Sequence, residues 1–297
     1  MFMPVGDTCS KKAIFTVCDD NYIKGLIALL NSIIRNVPGA KIYLVHNLSK
    51  KNFGYVKEYI YKSEIFDRLP WAHLPPKKEN YARMTFAKYQ VEFIEENNFF
   101  YVDADVVVNK TFEWETPSNL SCEQLLQSIN PKDWPKTEAR RLKLWELMRQ
   151  FILKEGGLIE HLDKITFFYA GAFFANRDWI INVFKPELRK CSIKYQGIPQ
   201  FFYELEYFNA AIAILQRPVI RWKITQAIPL LEFYRETHPE VVPKENVELC
   251  NLIHYVLENK PWKLKQGEYP FKGGNVWWDF YFGGPINPLI DETSKDD

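Results

Sequence analysis

Residues 99–108 read Phe-Phe-Tyr-Val-Asp-Ala-Asp-Val-Val-Val, and this stretch decides the fold. Two carboxylates, Asp103 and Asp105, interrupt a run that is otherwise apolar, which is typical of a buried strand in a parallel sheet. An aspartate is rarely buried unless it is paired or coordinates a metal, so this pair needs a cation. Because ligands of open α/β sheets lie at the carboxyl ends of the strands, we interpret the pair as a binding site. The alternative is that both carboxylates cap a strand-to-loop turn.

The composition indicates a globular protein with balanced charge. The chain has 297 residues, of which 47% are hydrophobic and 25% charged, and its net charge is +1. This balance gives no reason to expect nucleic acid as a partner. The sequence has five cysteines, which is an odd number, and none of them form a Cys-x-x-Cys motif. Both observations favour free thiols in a reducing compartment. Without a signal-peptide pattern or a transmembrane segment, we expect a cytoplasmic protein, while a peripheral membrane contact and a homodimer stay open.

Strand and helix patterns alternate along the first hundred residues, which predicts an α/β fold with a parallel sheet and right-handed crossovers. The predicted strands are 12–18, 41–46, 65–71, 99–108 and 166–176. The predicted helices are 22–35, 52–64, 81–97, 178–194 and 201–215. We expect a helical insertion over 113–162 and a disordered tail over 286–297, so that residues 1–285 form a single domain.

A second group of candidate residues lies later in the chain, in Asn251-Leu-Ile-His-Tyr-Val-Leu-Glu-Asn-Lys-Pro-Trp262. His254 follows apolar residues, as at a strand end, and Lys260 precedes a proline turn. Taken alone, these residues fit a hydrogen-bonded core histidine and a turn with a packed tryptophan. Combined with the acidic pair, two aspartates and one histidine suit Mn²⁺ or Mg²⁺, with positions left for substrate phosphates. A nearby lysine would neutralise the same phosphates.

Five segments, taken in order, resemble glycosyltransferase family 8, the glycogenin-like and lipopolysaccharide galactosyltransferase-like enzymes. These segments are Ala13–Gly25, Tyr81–Lys88, Tyr101–Val107, Phe168–Asn176 and His254–Trp262. The resemblance implies a GT-A-like, Rossmann-like sheet that binds a nucleotide sugar and is flanked by helices. It also implies a metal-dependent, retaining transfer of a hexose or related sugar from a UDP-sugar to a glycan, glycolipid or protein acceptor.

The resemblance also implies roles for individual residues. Asp103, Asp105 and His254 would hold Mn²⁺ or Mg²⁺, and the ion would bridge the diphosphate of the donor. The catalytic residues implied are Lys260, Glu204, Asp103 and Asp105. The residues implied in binding the UDP-sugar are Val17, Asp19, Tyr22, Arg83, Lys88, Ala104 and Lys260.

The chain differs from the family pattern at Tyr169, Leu205 and Leu257, where asparagine, glutamine and glycine are usual. These differences lie around the transferred sugar, so the identity of that sugar stays open. One alternative is that the protein is a catalytically weak, sugar-binding relative of these enzymes. The other alternative is a haloacid-dehalogenase-like phosphatase, in which Asp103 is the nucleophile and Asp105 the general acid. That fold carries its motif on the first strand, whereas here a strand–helix–strand unit precedes the motif.

The segment 273–284 is unusually aromatic and includes Trp277 and Trp278. Buried aromatics dominate core energetics, so one interpretation is a C-terminal strand packed against the core. The other is that this segment and the insertion together frame an acceptor, because sugar rings present apolar faces that stack on aromatic side chains.

Overall fold

The computed structural model describes residues 12–48, 53–60, 84–126, 139–157, 167–194, 204–216, 220–221, 223–227, 247, 249–255, 260–266, 268 and 273–286. The strands in these ranges are β1 (Ala13–Cys18), β2 (Lys41–His46), β3 (Lys57–Ile60), β4 (Asn98–Val102), β5 (Val106–Val108), β6 (Leu120–Leu126), β7 (Phe167–Asn176), β8 (Ile220–Arg221), β9 (Gln226–Ala227) and β10 (Leu252–His254). The longer helices are α1 (Ile23–Asn36), α2 (Ala139–Lys154), α3 (Lys185–Lys194), α4 (Glu204–Leu215) and α5 (Gly273–Gly283).

A seven-stranded sheet in the order β3-β2-β1-β4-β7-β6-β8 forms the centre of the molecule. Strands β3, β2, β1 and β4 run parallel to one another, which confirms the predicted α/β fold. The sheet is mixed rather than parallel throughout, because β7 pairs antiparallel with both β4 and β6. The hydrophobic pattern identifies a buried strand but carries no information on the direction in which it runs.

Helix α1 follows β1 through a short capped turn and packs against β5 and α5. The Asp19 carboxylate accepts a hydrogen bond from the Asn21 amide at 3.0 Å, as expected of an N-cap residue. Asn31 of α1 is buried, and its Nδ2 donates to the Phe280 carbonyl at 2.9 Å. Its Oδ1 accepts from the Ile286 amide at 2.9 Å. Helix α5 is therefore fixed to α1, and Ile286, which follows this helix, is buried.

The stretch from Phe99 to Val108 is split between two sheets. Strand β4 ends at Val102, a turn covers 103–105, and β5 then joins a small second sheet in the order β5-β10-β9. Val106 lies opposite His254 in the antiparallel β5–β10 pair. The predicted single strand is therefore two strands, and the turn between them carries both aspartates to the place where the sheets meet. We call residues 103–105 the acidic turn.

Two predicted helices are strands or turns in the structure. Residues 57–60, predicted as helix, form the edge strand β3, whose Lys57 pairs with Glu95 at 2.5 Å. Over so few residues, the alternation of polar and apolar residues in an edge strand cannot be distinguished from the pattern of an amphipathic helix. Residues 84–97 contain only a short helical turn, which ends at Tyr89, and further turns. The predicted strand at 65–71 lies outside the described residues.

The range 113–162, predicted as a helical insertion, contains helix α2 but also β6, which is part of the central sheet. Strand β7 and the helical segments over 177–194 and 204–215 agree with prediction. The division into one domain and a tail stays a prediction, and residues 287–297 lie outside the described part. None of the helices in the described ranges has the length and apolarity that crossing a membrane requires.

Candidate active site

Three potential metal ligands meet at the acidic turn. The His254 Nε2 atom lies 3.0 Å from Asp105 Oδ1 and 4.0 Å from Asp103 Oδ2. One ligand atom from each residue can be chosen so that all lie within 4.8 Å of one another. Two carboxylates and an imidazole are a donor set that suits Mn²⁺ and also accepts Mg²⁺. The structure thus brings together the three residues that the sequence singled out, and their donor atoms fit a divalent ion.

Backbone contacts on both sides position the acidic turn. The Asp103 amide donates to the Gly171 carbonyl of β7 at 2.8 Å. The Tyr255 amide donates to the Asp105 carbonyl at 3.0 Å, directly after β10. The Tyr101 hydroxyl donates to Asp103 Oδ1. Because the turn is held by the large sheet at one end and the small sheet at the other, the two carboxylates have a defined separation.

Lys260 lies on the Asp105 side of the site. Its Nζ forms an ion pair with Asp105 Oδ2 and donates to the Tyr255 carbonyl at 2.5 Å. The side chain is buried, and Nζ lies 5.4 Å from the centre of the Tyr22 ring and 5.9 Å from that of Trp262. Burial disfavours the charge on Asp105, but Lys260 and His254 outweigh it and hold the pKa of this carboxyl well below its usual range.

A second buried lysine lies on the Asp103 side. Lys88 Nζ is 2.7 Å from Glu204 Oε1, 3.6 Å from Asp103 Oδ1 and 3.2 Å from the Ala170 carbonyl. Burial would lower the pKa of Lys88, but Asp103 and Glu204 raise it above its usual value. Burial also raises the pKa of Glu204, which Lys88 only partly offsets. The structure therefore brings Lys88, Glu204 and Asp103 into one buried network.

The predicted nucleotide-binding residues lie at the carboxyl end of β1, beside β4. Val17 and Tyr22 are half-buried, and Tyr22 meets Trp262 edge to face at 5.8 Å between ring centres. Asp19 is buried and caps the turn that leads into α1. Burial raises the pKa of its carboxyl. These residues share the sheet edge with the acidic turn, which is the arrangement expected of a ligand site in an α/β fold.

Gly25 is a site residue that the sequence analysis did not single out. A Cβ atom at Gly25 would lie 2.6 Å from the Ala104 carbonyl oxygen and 2.9 Å from the Trp262 ring. Helix α1 therefore approaches the backbone of the acidic turn as closely as a glycine permits. The sequence did contain a signal, which is a glycine inside a strongly apolar helical pattern. A glycine there lowers helical stability, so its presence suggests close packing at that position.

Some predicted residues cannot be placed, and others are part of the core. Arg83, Leu257 and the side chain of Tyr169 lie outside the described part of the chain. Leu205 is partly buried and packs against the core. Trp277 is fully buried in helix α5, stacked on Tyr281 at 4.7 Å.

Comparisons with known proteins extend this description. No protein-family profile and no curated protein sequence matches the chain. Solved structures do match. An active-site mutant of LgtC has a TM-score of 0.61 at 17% identity, covering 94% of this chain and 99% of that one. The galactosyltransferase LgtC with donor and acceptor sugar analogues has a TM-score of 0.59 at 15% identity, covering 95% and 99%.

The chain has the GT-A glycosyltransferase fold. The bifunctional glycosyltransferase WbbM matches with a TM-score of 0.58 at 16% identity, over 98% of this chain and 52% of that one. GlyE of Streptococcus pneumoniae matches with a TM-score of 0.54 at 16% identity, over 92% and 60%. At these identities the likeness establishes the fold, and the activity has to be argued from the site.

Proposed function

We propose that this protein is a metal-dependent, retaining glycosyltransferase that moves a hexose or related sugar from a UDP-sugar to a glycan, glycolipid or protein acceptor. The observation that carries the proposal is the convergence of Asp103, Asp105 and His254 with Lys260 at the end of β4, within a GT-A fold. That LgtC has this fold, and has been solved with donor and acceptor sugar analogues, supports the proposal.

The site supplies positive charge where the leaving diphosphate would develop negative charge. Asp103, Asp105 and His254 would hold Mn²⁺ or Mg²⁺, and the bound ion would supply Lewis-acid stabilisation of the leaving group. Lys260 is within reach of the same position and would add a second, fixed cation. Retention of configuration requires that the acceptor attack from the face that the diphosphate leaves.

The donor would lie along the carboxyl edge of the sheet. Val17, Asp19 and Tyr22 line the end of β1, where the uracil and ribose would bind. The Ala104 backbone lies between the two aspartates, beside the diphosphate position. Lys88 and Glu204, on the far side of Asp103, would contact the transferred sugar. Arg83 would be a further residue that contacts the donor.

The structure reduces the number of aromatic side chains in 273–284 that could contact an acceptor. Trp277 is part of the core, which excludes it as a surface for sugar. Trp278 is partly exposed and stacks on Phe282 at 5.4 Å, and Phe282 is 58% exposed. We propose that these two rings on α5, rather than Trp277, contribute to acceptor binding.

A panel of nucleotide sugars incubated with the protein and Mn²⁺ tests the proposed activity. We expect release of UDP from one or a few UDP-sugars, and loss of this release with EDTA or with Asp103→Asn. Lys263→Met, which removes an exposed charge from the turn after Lys260, is the matched control and should retain activity.

The products of this assay separate the alternatives. Release of inorganic phosphate from phosphomonoesters would favour the phosphatase, for which the GT-A fold gives no support. Metal-dependent UDP binding without turnover on any donor would favour a catalytically weak relative.

Calorimetry tests the metal assignment separately. UDP should bind weakly without a divalent ion, because its diphosphate would face the two aspartates. Equal affinity for UDP with and without Mn²⁺ would contradict the metal assignment.

A further inference from the structure

The candidate metal ligand Asp105 already has a cationic partner within the protein. Lys260 Nζ pairs directly with Asp105 Oδ2, while His254 Nε2 lies 3.0 Å from Asp105 Oδ1. Both oxygens of this carboxylate are therefore engaged by nitrogen atoms. A divalent ion held by Asp103, Asp105 and His254 would share the Asp105 carboxylate with Lys260, and the two positive charges would oppose each other there.

Lys88, the other buried lysine at the site, does not compete in the same way. Its Nζ is 2.7 Å from Glu204 but 3.6 Å from Asp103, so its close partner is a carboxylate outside the candidate ligand set. Lys88 therefore divides its charge between Asp103 and the closer Glu204. Lys260 is the lysine in direct contact with a candidate metal ligand.

The surroundings of Lys260 allow it to exchange partners. Its ammonium has three donors, and one of them is held by the Tyr255 carbonyl at 2.5 Å. The rings of Tyr22 and Trp262, with centres 5.4 and 5.9 Å from Nζ, provide further attraction to a cation. These contacts do not involve Asp105, so Nζ can stay near the acidic turn after it releases the carboxylate. A diphosphate oxygen would then provide a new anionic acceptor.

We propose that Lys260 is an internal counter-ion that competes with the divalent ion for Asp105 and transfers to the donor diphosphate when nucleotide and metal bind together. This inference rests on the proposed function, because it concerns the same metal and diphosphate. It makes Lys260 a regulator of metal affinity in addition to a contact of the leaving group. The metal would bind weakly alone and tightly with the nucleotide, and linkage requires that the nucleotide gain by the same factor.

The Lys260→Met variant tests the competition directly, with Lys263→Met as the matched control. Without nucleotide, we expect Lys260→Met to bind Mn²⁺ roughly tenfold more tightly than the wild type, measured by electron paramagnetic resonance or calorimetry, because a neighbouring cation has been removed. With saturating Mn²⁺, the same variant should bind UDP more weakly. Lys263→Met should leave both affinities within about twofold, since exposed charges interact weakly. Unchanged or weaker Mn²⁺ binding by Lys260→Met would overturn the proposal.

A second variant covers the case in which Lys260→Met does not fold. Lys260→Arg retains the charge and can bind the carboxylate with two hydrogen bonds, so it should bind Mn²⁺ alone more weakly than the wild type. Tighter binding by this variant would contradict the competition. If the wild type binds Mn²⁺ and releases UDP from a donor but the variants show no such opposite shifts, only this inference fails. If no form of the protein binds Mn²⁺, the metal-dependent function fails with it.

Discussion

The two aspartates of the acidic turn lie in different electrostatic environments, although only Ala104 separates them. The Asp105 side chain is 10% exposed and is paired with Lys260 and His254. The Asp103 side chain is 29% exposed and accepts from the Tyr101 hydroxyl, with Lys88 at 3.6 Å. Asp105 therefore supports the fold as well as the candidate site, whereas Asp103 is the more accessible of the two candidate ligands.

This asymmetry predicts different costs for the two substitutions. Asp105→Asn leaves Lys260 as a buried charge without its carboxylate, and we expect a loss of about 3–5 kcal/mol in the free energy of unfolding. Asp103→Asn removes one hydrogen-bond acceptor at a partly exposed position, and we expect a loss of about 1 kcal/mol. Both variants should lose metal-dependent UDP release. Denaturant unfolding without metal measures the difference, and equal losses would show that the Lys260–Asp105 pair does not stabilise the fold.

At the residue scale, the sequence predicted which side chains come together at the acidic turn but not how they pair. Asp103, Asp105, His254 and Lys260 all followed from motifs and their order. The pairing of Lys260 with Asp105 joins residues 155 positions apart, and that of Lys88 with Glu204 joins residues 116 apart. Such contacts depend on the packing of several elements, and no local pattern encodes them.

Helix α1 connects the acidic turn to the C-terminal helix. Its N-terminal end approaches the Ala104 carbonyl through Gly25, and Asn31 further along binds the backbone of the segment that contains α5. Trp262, which follows Lys260, meets the ring of Trp277 on α5 at 5.6 Å. The position of α1 is therefore coupled to both the site and α5.

The close approach at Gly25 reverses the usual effect of a glycine-to-alanine change. In a helix interior, alanine is favoured over glycine by about 1 kcal/mol. At Gly25 the added Cβ would overlap the backbone of the acidic turn, and overpacking costs about 1–3 kcal/mol. We expect Gly25→Ala to lower the melting temperature and weaken Mn²⁺ binding. Gly283→Ala in α5 is the control, because its Cβ would meet only the end of the Arg35 side chain at 3.3 Å.

The aromatic residues of α5 divide into core and surface. Trp277 is fully buried, so Trp277→Ala should cost about 3–5 kcal/mol and reduce donor hydrolysis and transfer together. Phe282 is 58% exposed, and Phe282→Ala should change stability by no more than about 0.5 kcal/mol. If the exposed rings bind the acceptor, Phe282→Ala will lower transfer but spare donor hydrolysis. Equal transfer by Phe282→Ala, Trp278→Ala and the wild type would exclude α5 as an acceptor surface.

At the element scale, prediction from sequence succeeded for buried strands and failed at edges and turns. Strands β1, β2 and β7 are continuous apolar runs, and their bounds agree with prediction within about one residue. The acidic turn was missed because Val106–Val108 continues the apolar pattern of β4, although it pairs with a different sheet. One of the two interpretations of the segment 273–284 was a strand, because aromatic residues favour strands, but the segment forms helix α5.

At the scale of the whole molecule, the two sheets meet at the candidate site. The fold class followed from the sequence because β1, α1 and β2 have clear apolar patterns. The direction of β7 and the second sheet did not follow, since both depend on connections between distant segments. The resemblance to family 8 enzymes rests on five short segments, whereas the likeness to solved structures concerns the fold and covers nearly the whole chain.

Metal binding should stabilise the complete protein as well as activate it. A ligand that binds only the folded state at a hundred times its dissociation constant adds about 2.7 kcal/mol. We expect the melting temperature to rise with Mn²⁺ in the presence of UDP and to return to its starting value with EDTA. Asp103→Asn, which retains the Lys260–Asp105 pair, should show little of this rise. A rise of the same size in this variant would indicate that Mn²⁺ stabilises the protein at another position.

The division of one apolar run between two sheets has a consequence for amide hydrogen exchange. Strands β5 and β10 have only three residues each, so the small sheet can open locally while the large sheet stays closed. A metal ion held by Asp103 at the end of β4 and by His254 on β10 would cross-link the two sheets. Exchange at Val107 and Tyr255 should then slow several-fold in Mn²⁺ and UDP, whereas amides in the β1–β2 pair should keep their rates.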